Sequence, residues 1–142
     1  MSETQSRHAQ ILNTLARASI PASKSFAEEL LDNIGDVEVV QNRTGLVMLP
    51  MHDTVEGTSF HLGEVLVSEA HIKAMGKEGY GMRTGRDLEA SMAMAVIDVA
   101  WQAGMAIDRI EAFVERQAKQ QEKDDDDQMR AVEATRVNME TF

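Results

Sequence analysis

The sequence contains no cysteine. That excludes a disulfide framework, a thiol nucleophile and a cysteine-ligated zinc or iron–sulfur site. Only one tryptophan and one tyrosine occur in 142 residues, so few large aromatics are available to close a core. Basic residues are also scarce: 14 Lys+Arg face 24 Asp+Glu, a formal net charge of −10. Nucleic-acid binding needs clustered Lys/Arg to displace counterions, and an anionic membrane repels such a chain, so neither partner is expected. No apolar run approaches the ~20 residues that span a bilayer. Residues Met1–Gln10 are polar and lack the apolar stretch of a secretory signal, so a soluble cytoplasmic protein is expected. What is present suffices for a folded domain. Hydrophobic residues make up 43%, and the length fits one domain over residues 1–142 with a real core.

The apolar spacing predicts helices first. One starts near Glu3, carries Ile11, Leu12 and Leu15, and stops at Pro21. Ser23 is placed to cap a second, with Phe26, Leu30, Leu31 and Ile34 on one face and Gly35 as its stop. The period then changes. Val37, Val39 and Val40, the turn-like Gln41-Asn42-Arg43-Thr44-Gly45, and Leu46–Leu49 predict a hairpin, with Pro50 limiting its second strand. Residues 52–58 predict a polar loop, Phe60–Val67 a strand, His71–Met75 a further one, Gly76–Gly79 a turn and Tyr80–Thr84 a returning strand. From Arg86, the stripe Met92, Val96, Val99, Ala103, Ile107, Ile110 and Val114 predicts a long helix, kinked or broken near Gly104. Residues 118–127 form an acidic linker and 128–142 a C-terminal helix and tail, with Asp124–Asp127 favourable at that helix's start. The expected class is α+β: N-terminal helices, a central antiparallel sheet of four to five strands, a long helix and a C-terminal helix.

Three features carry possible chemistry. His52, Asp53, His61 and Glu64 are metal-ligand types, but His-x-x-Glu on a strand puts its side chains on opposite faces. They predict polar loop and sheet-surface positions, and no metal. Arg83-Thr84-Gly85-Arg86-Asp87 could cradle an anion at a helix N-terminus. It matches no phosphate-loop fingerprint, and the favoured alternative is a strand-to-helix junction. In that case Gly85 turns the chain, Asp87 caps or charge-complements the helix and Arg86 pairs with a nearby carboxylate. The aspartate run lacks the glycine and glutamate of a calcium loop and reads as solvated. Finally, Met94, Ile97, Trp101 and Met105 form a second apolar stripe on the helix after Arg86. A helix apolar nearly all round needs more than one covering surface, and a partner subunit is expected to supply it.

Several short motifs, taken in order, give the chain a resemblance. Leu15-Ala16 closes a short helix. Thr44-Gly45-Leu46-Val47, Phe60 with Gly63-Glu64, Gly79-Tyr80, Gly85-Arg86-Asp87, Ala95 with Ile97-Asp98, and Ala134-Thr135-Arg136-Val137 with Thr141 follow. The chain resembles the PhnG family, one of the components of the bacterial phosphonate carbon–phosphorus lyase system. One departure is Asn138-Met139-Glu140, where the family has an aromatic pair, with Phe142 only at the end. The resemblance implies a subunit that assembles with the H, I and J subunits and an ATP-binding-cassette-type partner. Together they would form ribose 1-methylphosphonate 5-triphosphate from ATP and methylphosphonate, releasing adenine. The I subunit would carry the catalysis, and the J subunit the iron–sulfur cluster and S-adenosylmethionine chemistry. This chain itself would hold no cofactor. Its partner surface would use Met94, Ile97, Trp101 and Met105, with Arg136, Val137, Met139 and Phe142 on the tail. A stand-alone anion-binding protein using Arg83, Gly85, Arg86 and Asp87, or a homodimeric scaffold, is the alternative.

Overall fold

A computed structural model of the chain describes residues 3–52 and 59–140, with side chains described over 3–48 and 63–135. Helices α1 (Glu3–Ala16) and α2 (Ile20–Ile34) are followed by strands β1 (Glu38–His52), β2 (Ser59–Ala74) and β3 (Lys77–Thr84). Helices α3 (Leu88–Gln102) and α4 (Ile107–Glu140) complete the chain. The class is α+β, with a three-stranded antiparallel sheet in the order β1-β2-β3 rather than four or five strands.

The strand count differs because two expected breaks are absent. Gln41–Gly45 is not a turn: Asn42 pairs with Ala70 and Gly45 with Val67 inside one continuous ladder. His71–Ala74 continues β2 instead of starting a new strand. The tight turn is Met75-Gly76, both at positive φ (53° and 71°), the combination of a type I′ hairpin. Gly79 therefore lies within β3 rather than in a turn. At the N-terminal end, Ser19 and not Ser23 caps α2, its Oγ accepting from the Ala22 N–H at 3.4 Å. Pro21 sits in the first turn of α2, where a missing N–H costs nothing. Gly35 ends that helix at φ 84°, as its position predicts.

One face of the sheet packs on α3. Ser68, Ala70, Ile72 and Ala74 of β2 are buried at period two, as are Gly79, Gly81 and Arg83 of β3. The strand-to-helix approach is unusually close. A Cβ on Gly81 would lie 2.1 Å from the Ser91 carbonyl oxygen, and one on Gly79 2.3 Å from that of Ala95. These glycines serve contact, not turning. The opposite side of α3 meets Phe26, Leu30 and Ile34 of α2, Ile11 and Leu15 of α1, and Ile110, Phe113 and Val114 of α4. Phe26 and Phe113 stack with centroids 4.8 Å apart.

The helical stripe does break after Gln102: Gly104 and Ala106 have φ 78° and 52° before α4 starts. Helix α4 then runs to Glu140 without interruption, through Asp124–Asp127. The residues expected to form a linker and a separate terminal helix belong to this single helix. No helix among the described residues is long and apolar enough to cross a membrane.

Candidate functional site

The junction at the end of β3 has the predicted geometry at two of its positions. Gly85 has φ 102°, and its N–H donates to the Leu66 carbonyl at 2.8 Å, carrying the chain out of the sheet. Asp87 caps α3, its Oδ1 accepting from the Ala90 N–H at 3.0 Å. The Lys24 ammonium donates to Oδ2 at 3.0 Å. Lys24 and then the capping N–H hold the Asp87 carboxyl below its ordinary pKa. It is Lys24, not Arg86, that pairs with the carboxylate here. Arg86 is exposed and makes no hydrogen bond or ion pair with any described residue. Arg83 points inward: at 8% exposure, its guanidinium donates to the carbonyls of Leu15 and Ala18, both at 2.7 Å. These are acceptors at the end of α1, where helical carbonyls lack partners. Burial lowers the Arg83 pKa from the ordinary arginine value, opposed by the charge of Asp87. Its donors are committed to holding α1, so the junction presents Arg86 alone to solvent.

A polar chain of contacts crosses the molecule on the other side of α3. Asp98 is 1% exposed. Its Oδ2 accepts from the Tyr80 N–H at 2.9 Å and from Gln102 Nε2 at 3.0 Å, and its Oδ1 lies 2.5 Å from His8 Nε2. Burial pushes the Asp98 carboxyl above its ordinary pKa, while the contacts from His8, Tyr80 and Gln102 pull it back. The His8 ring stacks on Trp101 at 5.3 Å and 14°. Trp101 Nε1 donates to Glu111 at 3.3 Å, and Arg7 grips the same carboxylate, lowering its pKa. The chain of contacts joins α1, β3, α3 and α4. An open cavity of 210 Å³ lined by Thr4, Gln5, His8, Trp101 and Gln102 borders it. Sequence reasoning missed this set, although a lone Asp98 between Ile97 and Val99 in an apolar helix was the available signal.

Two segments leave the body. The β1–β2 ladder continues beyond the last β3 pair, Val67 with Thr84, to His52 with Ser59. All of β1 from Glu38 to Met48 is exposed, with Leu46 at 61% and Met48 at 52%. Helix α4 packs along α1 as far as Gln121, whose Nε2 donates to the Thr14 carbonyl, and Asp125, which pairs with Arg17 at 2.9 Å. Residues 122–135 are all exposed, including Met129 and Val132.

The family profile described as "Phosphonate metabolism protein PhnG" matches residues 6–142. The chain belongs to the PhnG family. Among curated proteins it is 31% identical, over 107 residues, to one named "Putative C-P lyase subunit protein HtxH" from Stutzerimonas stutzeri. That match covers 66% of this chain and 29% of the relative, so the chain spans under a third of the longer protein's length.

In this PhnG-family chain the helix stripe expected to meet a partner is occupied internally. Met94 and Ile97 are buried in the chain's own core, between the sheet and the other helices. Trp101 and Met105 are half-buried against that core. The sequence showed correctly that α3 needs covering on several sides; α1, α2, α4 and the sheet do the covering. Arg136, Val137 and Met139 lie on the last turns of α4, and their side chains, like all of Phe142, fall outside the described residues. Asp53 and the side chains of His52 and His61 also fall outside them, while Glu64 is exposed. No group of three metal-ligating side chains occurs among the described residues.

Proposed function

We propose that this chain is a non-catalytic subunit of a carbon–phosphorus lyase assembly. It would support the step in which methylphosphonate displaces adenine from ATP to give ribose 1-methylphosphonate 5-triphosphate. The match to the phosphonate-metabolism family over residues 6–142 carries the proposal. The relative named as a C-P lyase subunit supports it. So does the distribution of polar groups. Arg83 and Asp98 are committed to backbone and neighbouring helices, which suits a scaffold better than a reaction centre. In this reading the I subunit supplies the catalytic groups, the H and J subunits and the ATP-binding-cassette-type protein complete the assembly, and this chain holds no cofactor of its own.

The test is co-expression of the tagged chain with the H, I and J subunits and the cassette-type partner. The expected result is co-purification in a defined complex, and adenine release from ATP plus methylphosphonate that falls to background when this chain is left out. A chain that never co-purifies, or adenine release indifferent to its presence, would reject the proposal.

A stand-alone anion-binding role draws on one observation, the exposed and unengaged Arg86 beside the α3 N-terminus. It predicts ATP or phosphonate binding by the isolated chain, lost in Arg86→Ala. The subunit reading predicts no measurable binding by the isolated chain.

A further inference from the structure

Three sets of contacts place both projecting segments at one pole of the body. Arg83, near the end of β3, holds the Leu15 and Ala18 carbonyls at the end of α1. The Gly85 N–H holds Leu66, where the β1–β2 ribbon leaves the third strand. Gln121 and Asp125 of α4 touch Thr14 and Arg17 at that same end of α1. Beyond these anchors the ribbon of 46–52 and 59–66 reaches about 24 Å at the usual strand rise. Residues 126–140 of α4 reach about 22 Å at the helical rise. The arms therefore have matched length, a common origin and opposite chemistry.

The ribbon arm is nearly uncharged. Among the described side chains its exposed apolar ones are Leu46, Val47 and Met48, and Arg43, earlier in β1, is paired with Glu69 at 3.7 Å. The outer edge of β1 has no strand beside it among the described residues. Edge strands of this length are normally guarded by charge or covered, because unpaired N–H and C=O groups recruit another strand. The helical arm is the reverse: over 122–140 it carries seven carboxylates and three basic groups, with Met129 and Val132 one turn apart on its surface. A second copy of this chain, itself at −10, would meet that arm with like charge. Two apolar residues on the helix fall far short of the about 800 Å² per partner that a stable interface buries, so this arm does not suffice alone.

We propose that the ribbon and the distal half of α4 are the two jaws of one clamp that closes on a single partner protein. That partner would present an extended apolar segment to the β1 edge and a basic surface to the carboxylates beyond the Asp125 anchor, Asp126, Asp127 and Glu133. The proposal rests on the reading of this chain as a lyase-assembly subunit and adds which surfaces bind, and that they bind together. Charge complementarity selects a different chain from a second copy. The common origin of the arms selects one partner over two.

The experiment uses the full chain co-expressed with the lyase subunits, carrying the photocrosslinking amino acid benzoylphenylalanine in place of Val47 or, separately, Val132. Irradiation of the purified complex and mass spectrometry should assign both crosslinks to the same partner subunit. Crosslinks to two different subunits, to a second copy of this chain, or from only one arm or neither would overturn the clamp while leaving the subunit assignment intact. Failure of the chain to co-purify at all would overturn both. As a second readout, the threefold Asp126→Asn, Asp127→Asn and Glu133→Gln variant, which leaves the Asp125 anchor intact, should bind the partner about tenfold more weakly at 0.05 M salt. It should match the unaltered chain at 0.5 M, where the charge contribution is screened. Equal binding at both salt concentrations would contradict the basic-surface part of the proposal.

Discussion

Helix α3 and the distal half of α4 are of similar length and opposite circumstance. From Ala90 to Ala100, α3 is buried at every position but Met92, under a sheet on one side and three helices on the other. Over residues 126–135, α4 has every described side chain exposed. The first is stabilised by packing whatever its propensity; the second gains nothing from the rest of the chain, and an isolated helix of that length is marginal in water. The contrast separates a packed body from exposed arms whose ordering costs conformational entropy that packing against the body does not offset. A subunit built this way would carry its stability and its binding in different residues.

The largest expected effect therefore lies in the body. Gly81→Ala places a methyl group against backbone atoms of α3 at Ser91 and Ala95, which cannot move aside as a side chain could. The expected cost is about 4 kcal/mol or more, above ordinary overpacking, read as loss of the cooperative melting transition. A melting temperature within a few degrees of the unaltered protein would show that β3 and α3 are not in such close contact.

Next comes the polar chain of contacts. Asp98→Ala leaves the Tyr80 N–H without its acceptor and is expected to cost about 3 kcal/mol in denaturant unfolding. Asp98→Asn keeps that acceptor and should cost much less. The pH dependence has a definite sign. Burial raises the folded-state pKa of Asp98, so the folded protein binds its proton more tightly than the unfolded chain. Its effect on stability grows unfavourable as pH rises from the ordinary aspartate value of 3.8 through the raised value. Glu111, held low by Arg7, acts oppositely: its stabilisation is present above the ordinary glutamate value of 4.5 and lost as pH falls. Unfolding midpoints across the acid range should lose the first trend in Asp98→Asn and the second in Glu111→Gln.

Removing residues 126–142 should change the unfolding free energy by no more than about 0.5 kcal/mol, because among the described residues the last α4 contact to the body is Asp125 with Arg17. The same truncation should abolish partner capture. A truncated chain that unfolds would place this arm in the body after all.

The smallest effect concerns the hairpin. Met75 adopts a positive φ that side chains other than Asn and Gly rarely take, so Met75→Asn should stabilise by about 0.5 kcal/mol, measurable as a small rise in the unfolding midpoint.

The sequence made legible what local chemistry controls. Asp87 as a cap, Gly35 as a stop and the break near Gly104 follow from capping and backbone preferences that act over a few residues. What it hid depends on tertiary contact. Gln41–Gly45 resembles a turn because polar residues and glycine also occupy a strand exposed on both faces, where no apolar alternation marks it. Gly79 resembles a turn residue, and Gly81 an unremarkable strand position, because nothing in β3 announces that a helix backbone will lie against them. Met94 and Ile97 looked available to a partner because a sequence shows that a face is apolar, not which chain covers it. The Met-Gly turn lacks the Asn or Asp that usually signals positive φ. Asp124–Asp127 looked like a linker because a helix with no apolar stripe carries no periodicity. Within the polar network, only Asp98 stood out; His8, Arg7 and Glu111 are ordinary surface residues until the fold brings them to it.

The division between body and arms is most directly tested by hydrogen–deuterium exchange on the isolated chain and on the chain within the co-purified complex. The isolated chain should show strong protection in α3, β3 and the β2 residues 67–74, and fast exchange in residues 46–52, 59–66 and 126–140. In the complex both fast segments should become protected together while the body is unchanged. Arms already protected in the isolated chain, or still exchanging fast in the complex, would contradict the division.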